Sequence, residues 1–388
     1  MNVLILSQAI DRKYLRIICD SLPKKSKITL ITGSEINEIH NVEIIKSPMH
    51  NPKSIVSRIQ SWLSFNMFLN KWIKRGGNNK FDLIFATSNP PINSYIGYKI
   101  KKRFSIPFIY MNWDIYPQII EENFEAKIVK VICKLWHLVN NRIYKKIDRM
   151  ITIGDVMAKS INKHLKSPID ISVIPIPANT KQLMPVEKNK NLFIKEQQLI
   201  DKFVVLYSGK MGYGHNIPLI LEAAEKLKEI SDIQFVFIGN GPGYKIVQDH
   251  MKNVDSQNIK LYGLQPLDIF PYSMASGDIG IVSQENKLAH LFMPSKTYDM
   301  MSCGLPIVGI CSGNDDLSNL IIEHGVGEYV SSNDPNDLAR TIRKLYEDKE
   351  LLENYKKNAR EVAVEEYSFE KIKEKYGVLF EGIGKGEK

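Results

Sequence analysis

The chain has 388 residues, of which 44% are hydrophobic and 24% charged, a composition typical of soluble globular proteins and a length that favours two domains. It contains no apolar run near the roughly 18 residues of a membrane-spanning helix, and no solenoid-type repeat or low-complexity segment. The four cysteines are scattered, without metal-site or disulfide spacing, which favours reduced thiols in a cytoplasmic protein.

The net charge of +9 is distributed unevenly along the chain. Residues 1–180 contain 27 Lys and Arg against 13 Asp and Glu, a balance of +14, whereas residues 181–388 contain 25 against 30, a balance of −5. A uniform lysine bias would not produce opposite signs in the two halves. The basic half is therefore compatible with a nucleic acid, an anionic membrane or a phosphorylated substrate.

The first half alternates short apolar strands with longer amphipathic segments, which is typical of parallel α/β architecture. Strands are predicted at Val3–Ser7, Lys27–Ile31, Val42–Ile45, Leu83–Thr87, Phe108–Met111 and Met150–Ile153. The predicted helices include Ser54–Arg75, Ile92–Phe104 and Ala126–Ile147. We assign residues 1–175 to an N-terminal Rossmann-like domain, followed by a linker over residues 176–200 that is rich in Pro, Lys and Asn.

A second alternating series predicts another Rossmann-like domain over residues 201–367. Its strands are predicted at Phe203–Ser208, Ile233–Ile238, Ile259–Tyr262, Ile279–Val282, Ile307–Gly309 and Gly327–Val330. Its helices are predicted at Ile217–Ile230, Gly243–Asn253, Lys296–Cys303 and Asp316–Glu323, with further helical segments from Pro335 to about Gly382. We expect the last helix, about 368–388, to pack back on the first domain. Two doubly wound sheets in tandem predict a ligand in the cleft between them.

Two glycine-rich turns follow strands of the second half. LYSGKMGYGHN (206–216) opens a helix, its glycines let backbone N–H groups approach an oxyanion, and Lys210 adds a positive charge. GNGPG (239–243) departs from the dinucleotide fingerprint, because its third glycine comes one position early and no acidic residue lies about 20 positions on. A tight turn without a ligand is the alternative at both places.

Two further motifs carry charged side chains near predicted element ends. In MPSKTYDMMSCGLPIV (293–308), Ser295 and Lys296 begin a short helix and Asp299 lies about one turn on, so Lys296 could meet a phosphate and Asp299 a ribose. The alternative is a surface ion pair. In YMNWDIYP (110–117), Asp114 is flanked by Trp113 and Tyr116 and could orient or deprotonate a sugar hydroxyl, or simply cap the next helix.

The second half resembles glycosyltransferase family 4, through these motifs and the later segments IKLYGLQPLDIFPYSMASGDIGIV and NDLARTIRKLYED in the same order. In the first half, TSNPP (87–91) and WDIYP (113–117) resemble the acceptor domain of members that build capsule, O-antigen and exopolysaccharide. The resemblance implies the GT-B fold, with two Rossmann-like doubly wound parallel-sheet domains and an interdomain cleft. It also implies a retaining hexosyl- or N-acetylhexosaminyltransferase without metal or cofactor.

The implied reaction moves a sugar from a nucleotide sugar, expected to be a UDP-sugar, to a lipid-diphosphate-linked or saccharide acceptor, with no nucleic-acid partner. The implied donor-binding residues are Gly209, Lys210, Gly212, Gly239, Gly241, Gly263, Leu264, Pro294, Ser295, Lys296, Tyr298 and Asp299. The implied acceptor-binding residues are Asn89, Trp113, Asp114 and Tyr116. The expected catalytic residues are Asp114, Lys210 and Lys296, with the lysines stabilising the departing diphosphate.

One departure from the family pattern keeps two other functions open. The first acidic residue of the family's paired motif falls at Leu291, where this chain has no acid. A non-catalytic GT-B partner subunit or sugar-nucleotide binder is therefore an alternative, as is a GT-B sugar-nucleotide epimerase.

Two basic amphipathic segments with tryptophans, 54–75 and 126–146, suggest peripheral contact with the inner face of the cell membrane. Core-packed helices with solvated basic faces are the alternative.

Overall fold

The structure, a computed structural model, describes residues 1–36, 39–51, 53–75, 81–254, 256–285, 287–331 and 333–384. They form two compact units, one made of Met1–Pro175 with the chain from Ile372 onward, the other of Ile176–Lys371. Each unit is built on a parallel sheet. The predicted pair of Rossmann-like, doubly wound parallel-sheet domains is confirmed.

The first unit contains a seven-stranded sheet in the order β3-β2-β1-β4-β5-β6-β7. Its strands are β1 Asn2–Leu6, β2 Lys27–Thr32, β3 Val42–Lys46, β4 Leu83–Thr87, β5 Phe108–Asn112, β6 Arg149–Thr152 and β7 Ile171–Val173. Its helices are α1 Arg12–Ser21, α2 Ile55–Lys74, α3 Asn93–Phe104, α4 Gln118–Asn123, α5 Lys127–Ile143 and α6 Asp155–Lys163.

The second unit contains a six-stranded sheet in the order β10-β9-β8-β11-β12-β13. Its strands are β8 Phe203–Lys210, β9 Ile233–Asn240, β10 Ile259–Tyr262, β11 Ile279–Ser283, β12 Ile307–Ile310 and β13 Gly327–Val330. Its helices are α7 Leu192–Glu196, α8 Ile217–Lys226, α9 Pro242–Asn253, α10 Phe270–Met274, α11 Lys296–Ser302, α12 Asp316–His324, α13 Pro335–Glu347 and α14 Lys349–Glu365.

The order of the strands determines where each sheet can bind a ligand. Strands β1, β4, β8 and β11 are almost wholly buried apolar runs, as expected for central strands covered on both faces. The strand order reverses between β1 and β4 in the first unit and between β8 and β11 in the second. In open parallel sheets, ligands bind beside the carboxyl ends of the strands at such a reversal.

The predicted strands all form, but several short elements were not predicted. Strand β7 has only three residues and lies next to a Pro-rich stretch, and α7 has five, too few to show a helical period. Residues 176–200, taken from composition as a linker, belong to the second unit. Phe193 and Ile194 are buried there, and the Asn191 side chain caps α7 by accepting the Ile194 N–H.

The last helix, α15 Phe369–Gly384, contributes to the core of the first unit. The Phe380 ring lies 6.2 Å from the Phe85 ring, and the Tyr376 hydroxyl is 3.7 Å from Met111 Sδ. Among all the helices in the described residues, none combines the length and apolarity needed to cross a membrane.

Candidate functional site

Glycines bring two turns of the second unit into direct contact at the ends of β8 and β9. Gly239 has a φ of +151°, and a Cβ there would lie 1.9 Å from the Gly209 carbonyl oxygen. Gly241 has a φ of +109°, and a Cβ there would lie 2.8 Å from the Met211 carbonyl oxygen. Backbone packing therefore accounts for both glycines of GNGPG. They hold the 209–212 turn at the end of the central strand.

Lys296 reaches the same place from α11, which begins there with Ser295 as its N-cap. Its Nζ lies 3.9 Å from the centre of the Tyr207 ring, and a Cβ built on Gly209 would be 3.7 Å from that Nζ. Only part of the residue is buried, but its terminal nitrogen is enclosed and has no hydrogen-bond partner. Burial lowers the pKa of Lys296 to about 7.

Tyr207 and His215 form the wall beside this lysine. The Tyr207 hydroxyl lies 2.6 Å from His215 Nδ1 and donates to the Lys210 carbonyl oxygen at 3.1 Å. Burial, reinforced by the charges of Lys296 and Lys210, lowers the pKa of His215 to about 4. His215 is therefore neutral at pH 7, whereas Lys296, with a pKa of about 7, is the group of this wall that can carry a positive charge there.

An enclosed ammonium without a partner is energetically unfavourable in the empty protein. Desolvating such an ion costs several kcal/mol, whereas a cation–π contact returns only about 1–2 kcal/mol. No carboxylate of the described residues pairs with Lys296 Nζ. The geometry thus leaves a positive charge that an anionic ligand would satisfy, next to the turn at Gly209.

The other predicted donor residues are placed unequally around this point. Lys210 is exposed at the end of β8, and Ser295 is exposed with its side chain making no cap bond. Asp299 is part-buried in the first turn of α11, and Pro294 is part-buried just before that helix. Tyr298 is buried and its ring packs 4.9 Å from that of Tyr367, so its side chain serves the core.

Four remaining positions near the second sheet also differ in their surroundings. Gly212 precedes His215, whose Nε2 would be 3.6 Å from a Cβ at that glycine. Gly263 and Leu264 follow β10, with open space around Gly263 and an exposed side chain at Leu264. Leu291 is fully buried, so a core side chain occupies the position of the acid that the family pattern would place there.

In the first unit, the end of β4 positions the residues that follow β5. The Ser88 hydroxyl accepts hydrogen bonds from the backbone N–H groups of Trp113 at 3.0 Å and Asp114 at 3.3 Å. The neighbouring Asn89 carbonyl accepts the Gln8 N–H at 2.8 Å, and Asn89 Oδ1 is buried without a partner. TSNPP and WDIYP therefore meet at one end of the sheet.

Asp114 combines solvent access with a shifted pKa. The residue is exposed, yet burial of its carboxyl group among protein atoms raises its pKa, against the opposing charge of Arg58. The Arg58 guanidinium also lies close enough to Tyr116 to oppose the rise in its pKa that burial causes. An accessible carboxylate whose affinity for protons is raised is suited to accept a proton from a hydroxyl.

Aromatic rings flank this carboxylate on several elements. Trp113 packs 5.3 Å from Tyr14, and Tyr116 lies between Trp62 at 5.6 Å and Trp136 at 6.2 Å. Sequence reasoning missed Tyr207, His215 and Arg58 as parts of the two sites. The GYGHN turn was the one available signal for His215, whereas the roles of Tyr207 and Arg58 depend on contacts between elements far apart in the chain.

Comparison with known proteins places part of the chain beside glycosyltransferases. The profile of the family described as Glycosyl transferases group 1 matches residues 189–362. The "Probable glycosyltransferase WbjE" of Pseudomonas aeruginosa is 25% identical over 310 residues, 79% of this chain and 76% of that protein.

Two solved structures resemble the whole chain. Sucrose-phosphate synthase (tll1590) from Thermosynechococcus elongatus has a TM-score of 0.79 at 16% identity and covers 100% of both chains. Anabaena Alr3699/HepE in complex with UDP-glucose has a TM-score of 0.73 at 15% identity, covering 98% of this chain and 100% of that one. At such identities the likeness establishes the fold alone, which is the predicted GT-B fold.

Proposed function

We propose that the chain is a glycosyltransferase that transfers a sugar with retention from a UDP-sugar. The match of residues 189–362 to the Glycosyl transferases group 1 profile and the similarity to the probable glycosyltransferase WbjE support this proposal. The proposed acceptor is lipid-diphosphate-linked or a saccharide, in the assembly of a cell-surface polysaccharide. The acceptor and pathway rest on the motifs TSNPP and WDIYP, which resemble those of polysaccharide-building members.

One observation carries the donor assignment: Lys296 Nζ is enclosed beside Gly209 without a partner. A nucleoside diphosphate is the anion that a glycosyltransferase brings to this end of its second sheet. Binding there would give the ammonium its counter-charge and would hold it in the protonated form. The structurally similar Anabaena protein Alr3699/HepE was solved in complex with UDP-glucose, which supports the choice of a uridine nucleotide.

The proposed chemistry follows the movement of charge. The bond between sugar C1 and the β-phosphate oxygen breaks, and the diphosphate leaves with the electron pair. A bond forms between C1 and the acceptor oxygen on the same face of the ring. Lys296 and Lys210 stabilise the negative charge on the leaving group. Asp114 orients the acceptor hydroxyl and accepts its proton, and the lysines take the place of a divalent cation.

We also propose that the first unit contacts an anionic membrane. On α5, six exposed apolar side chains form one face, with exposures of 46–66%; they are Ile128, Val131, Ile132, Leu135, Leu138 and Val139. Exposed Lys127, Lys130 and Lys134 lie on the same helix. On α2, the residues Val56, Ile59, Leu63 and Met67 are likewise exposed. Basic helices with an apolar face bind the interface of anionic bilayers.

The function is tested by incubating the protein with labelled UDP-sugars and a lipid extract that contains lipid-linked acceptors. We expect label to enter the lipid fraction, in the presence of EDTA as well as without it. Asp114→Asn should lose transfer while still binding UDP, since that carboxylate acts on the acceptor. Binding of UDP without any transfer would indicate a non-catalytic binder, and conversion of the donor without acceptor would indicate an epimerase.

A further inference from the structure

A group of side chains around Tyr116 in the first unit has unsatisfied hydrogen-bonding groups. Arg58 Nε, Trp62 Nε1 and His50 Nδ1 are all buried and lack partners. Arg58 and Trp62 are four residues apart on α2, so they share a face of the helix. Buried polar groups are almost always hydrogen-bonded. Three orphaned nitrogens in one neighbourhood therefore call for an external partner.

The contacts of Tyr116 place the three groups together. Its ring lies 5.6 Å from that of Trp62, edge to face, and the Arg58 guanidinium is close enough to its hydroxyl group to oppose the rise in the Tyr116 pKa that burial causes. His50 is close enough to Arg58 for the guanidinium to lower its pKa, alongside the larger effect of burial. Arg58 and Trp62 therefore both lie next to Tyr116, and His50 lies near Arg58.

The charge of this group favours an anion over a neutral hydroxyl. Arg58 is always protonated, and its planar guanidinium matches the oxygens of phosphate. The nearby carboxylate, Asp114, is exposed, so solvent screens its attraction for Arg58. Phosphate oxygens accept hydrogen bonds from all three nitrogen groups at once.

We propose that His50, Arg58, Trp62 and Tyr116 form a subsite that binds a phosphate group of the acceptor. The inference rests on the proposed glycosyl transfer and specifies which part of the acceptor the first unit binds. On α2, the exposed apolar residues Val56, Ile59 and Leu63 lie beside the face that carries Arg58 and Trp62. A phosphate joined to a lipid can therefore occupy the subsite while its chain follows the apolar face.

Tryptophan fluorescence offers a local measurement. The chain has four tryptophans, and Trp62, Trp113 and Trp136 lie around Tyr116 and Asp114. The probes are geranyl diphosphate, inorganic pyrophosphate and octyl glucoside, each titrated with UDP at saturation so that the donor site is filled. Binding of UDP is measured separately for every variant, and its absence from the wild type would refute the donor site instead.

The variant Arg58→Gln should weaken the binding of both diphosphates by about tenfold or more, which is the usual effect of losing a charge-assisted hydrogen bond. Lys71→Gln is the matched control, because it removes a positive charge from an exposed position on the same helix. It should change the affinity less than about twofold. Trp62→Phe keeps an aromatic ring against Tyr116 but removes the N–H group, and it should also weaken the binding of both diphosphates.

The two probes separate the sources of the phosphate. Tighter binding of geranyl diphosphate than of pyrophosphate assigns the subsite to a lipid-linked phosphate, and equal binding assigns it to a phosphate on a soluble acceptor. Unchanged diphosphate binding in Arg58→Gln, or octyl glucoside binding as tightly as the diphosphates, would overturn the proposal. Unaltered UDP binding in Arg58→Gln would show that the variant is folded.

Discussion

The two lysines of the proposed donor site differ in their surroundings, so substituting them should have different effects on UDP binding and on stability. Lys296 is enclosed and unpaired at Nζ, whereas Lys210 is exposed. We expect Lys296→Met to weaken UDP binding by about tenfold to a hundredfold, the range for hydrogen bonds to charged groups. The same change should raise the Tm of the ligand-free protein, because it removes an uncompensated buried charge.

The control for that experiment is Lys210→Ala, which should abolish transfer and leave the Tm of the free protein unchanged. Calorimetric titration with UDP and thermal unfolding measure the two effects. A Lys296→Met protein that is less stable than the wild type without ligand, or that binds UDP as tightly, would contradict the role given to the enclosed ammonium.

The pKa of Lys296 makes the binding of UDP dependent on pH. In the free protein that pKa is about 7, and a bound diphosphate would raise it. Above pH 7 the free lysine is increasingly neutral, so binding must take up a proton. The phosphate of UDP is already ionised there, since its second pKa is about 6. Affinity should therefore fall as pH rises above 7, by up to about tenfold per unit.

Calorimetric titrations with UDP at pH 8, in two buffers of different ionisation enthalpy, would count the protons that the protein takes up on binding. The wild type should take up close to one proton, and Lys296→Arg none, because arginine remains charged. The lowered pKa of Lys296 also makes folding depend on pH. A lysine whose pKa is lower in the folded state than in the unfolded state destabilises the folded state when it is protonated. The free protein should therefore gain stability as pH rises from about 7 toward the ordinary lysine pKa of about 10.4.

At the level of secondary-structure elements, the close approach of β8 and β9 depends on Gly239. A Cβ there would lie 1.9 Å from the Gly209 carbonyl oxygen, and its φ is +151°. We expect Gly239→Ala to reduce the free energy of unfolding by on the order of 3 kcal/mol. Gly263→Ala is the matched control, since it also follows a strand and meets nothing within 4 Å. Urea denaturation compares them, and equal effects would refute the packing argument.

The apolar face of α5 gives a prediction about membranes. A double variant, Ile132→Glu with Leu135→Glu, removes two exposed apolar side chains and adds negative charge beside Lys130 and Lys134. Co-sedimentation with phosphatidylglycerol vesicles should fall by about tenfold or more. Leu267→Glu, an exposed site on the second unit, should bind as the wild type does. Equal binding to neutral phosphatidylcholine vesicles would contradict an electrostatic contribution.

At the level of the whole molecule, the fold followed from the sequence because its long-range pattern repeats. Each central strand is a run of apolar residues, such as Val3–Leu6 and Phe203–Tyr207, and these runs alternate with helical periods. Short elements escaped prediction, since α4 and α10 have only six and five residues. That residues 176–200 belong to the second unit could not be inferred from a polar composition.

The candidate sites were only partly predictable, for a physical reason. Lys296 and Asp114 stand in motifs that mark helix starts and strand ends, so local pattern was enough to single them out. Their partners come from distant segments: Tyr207 lies on β8 under Lys296, and Arg58 lies on α2 beside Tyr116. The amphipathic pattern of α2 also concealed that Phe65 and Leu69 are buried while Ile59 and Met67 are exposed.

The central claim, that the enclosed ammonium of Lys296 holds a nucleotide diphosphate beside Gly209, is tested most directly by a crystal structure of the protein with UDP. We predict a diphosphate oxygen within about 3 Å of Lys296 Nζ, the distance of a charge-assisted hydrogen bond. The nucleotide should lie at the carboxyl end of β8. UDP bound elsewhere, or bound there with Lys296 still unpaired over the Tyr207 ring, would contradict the account.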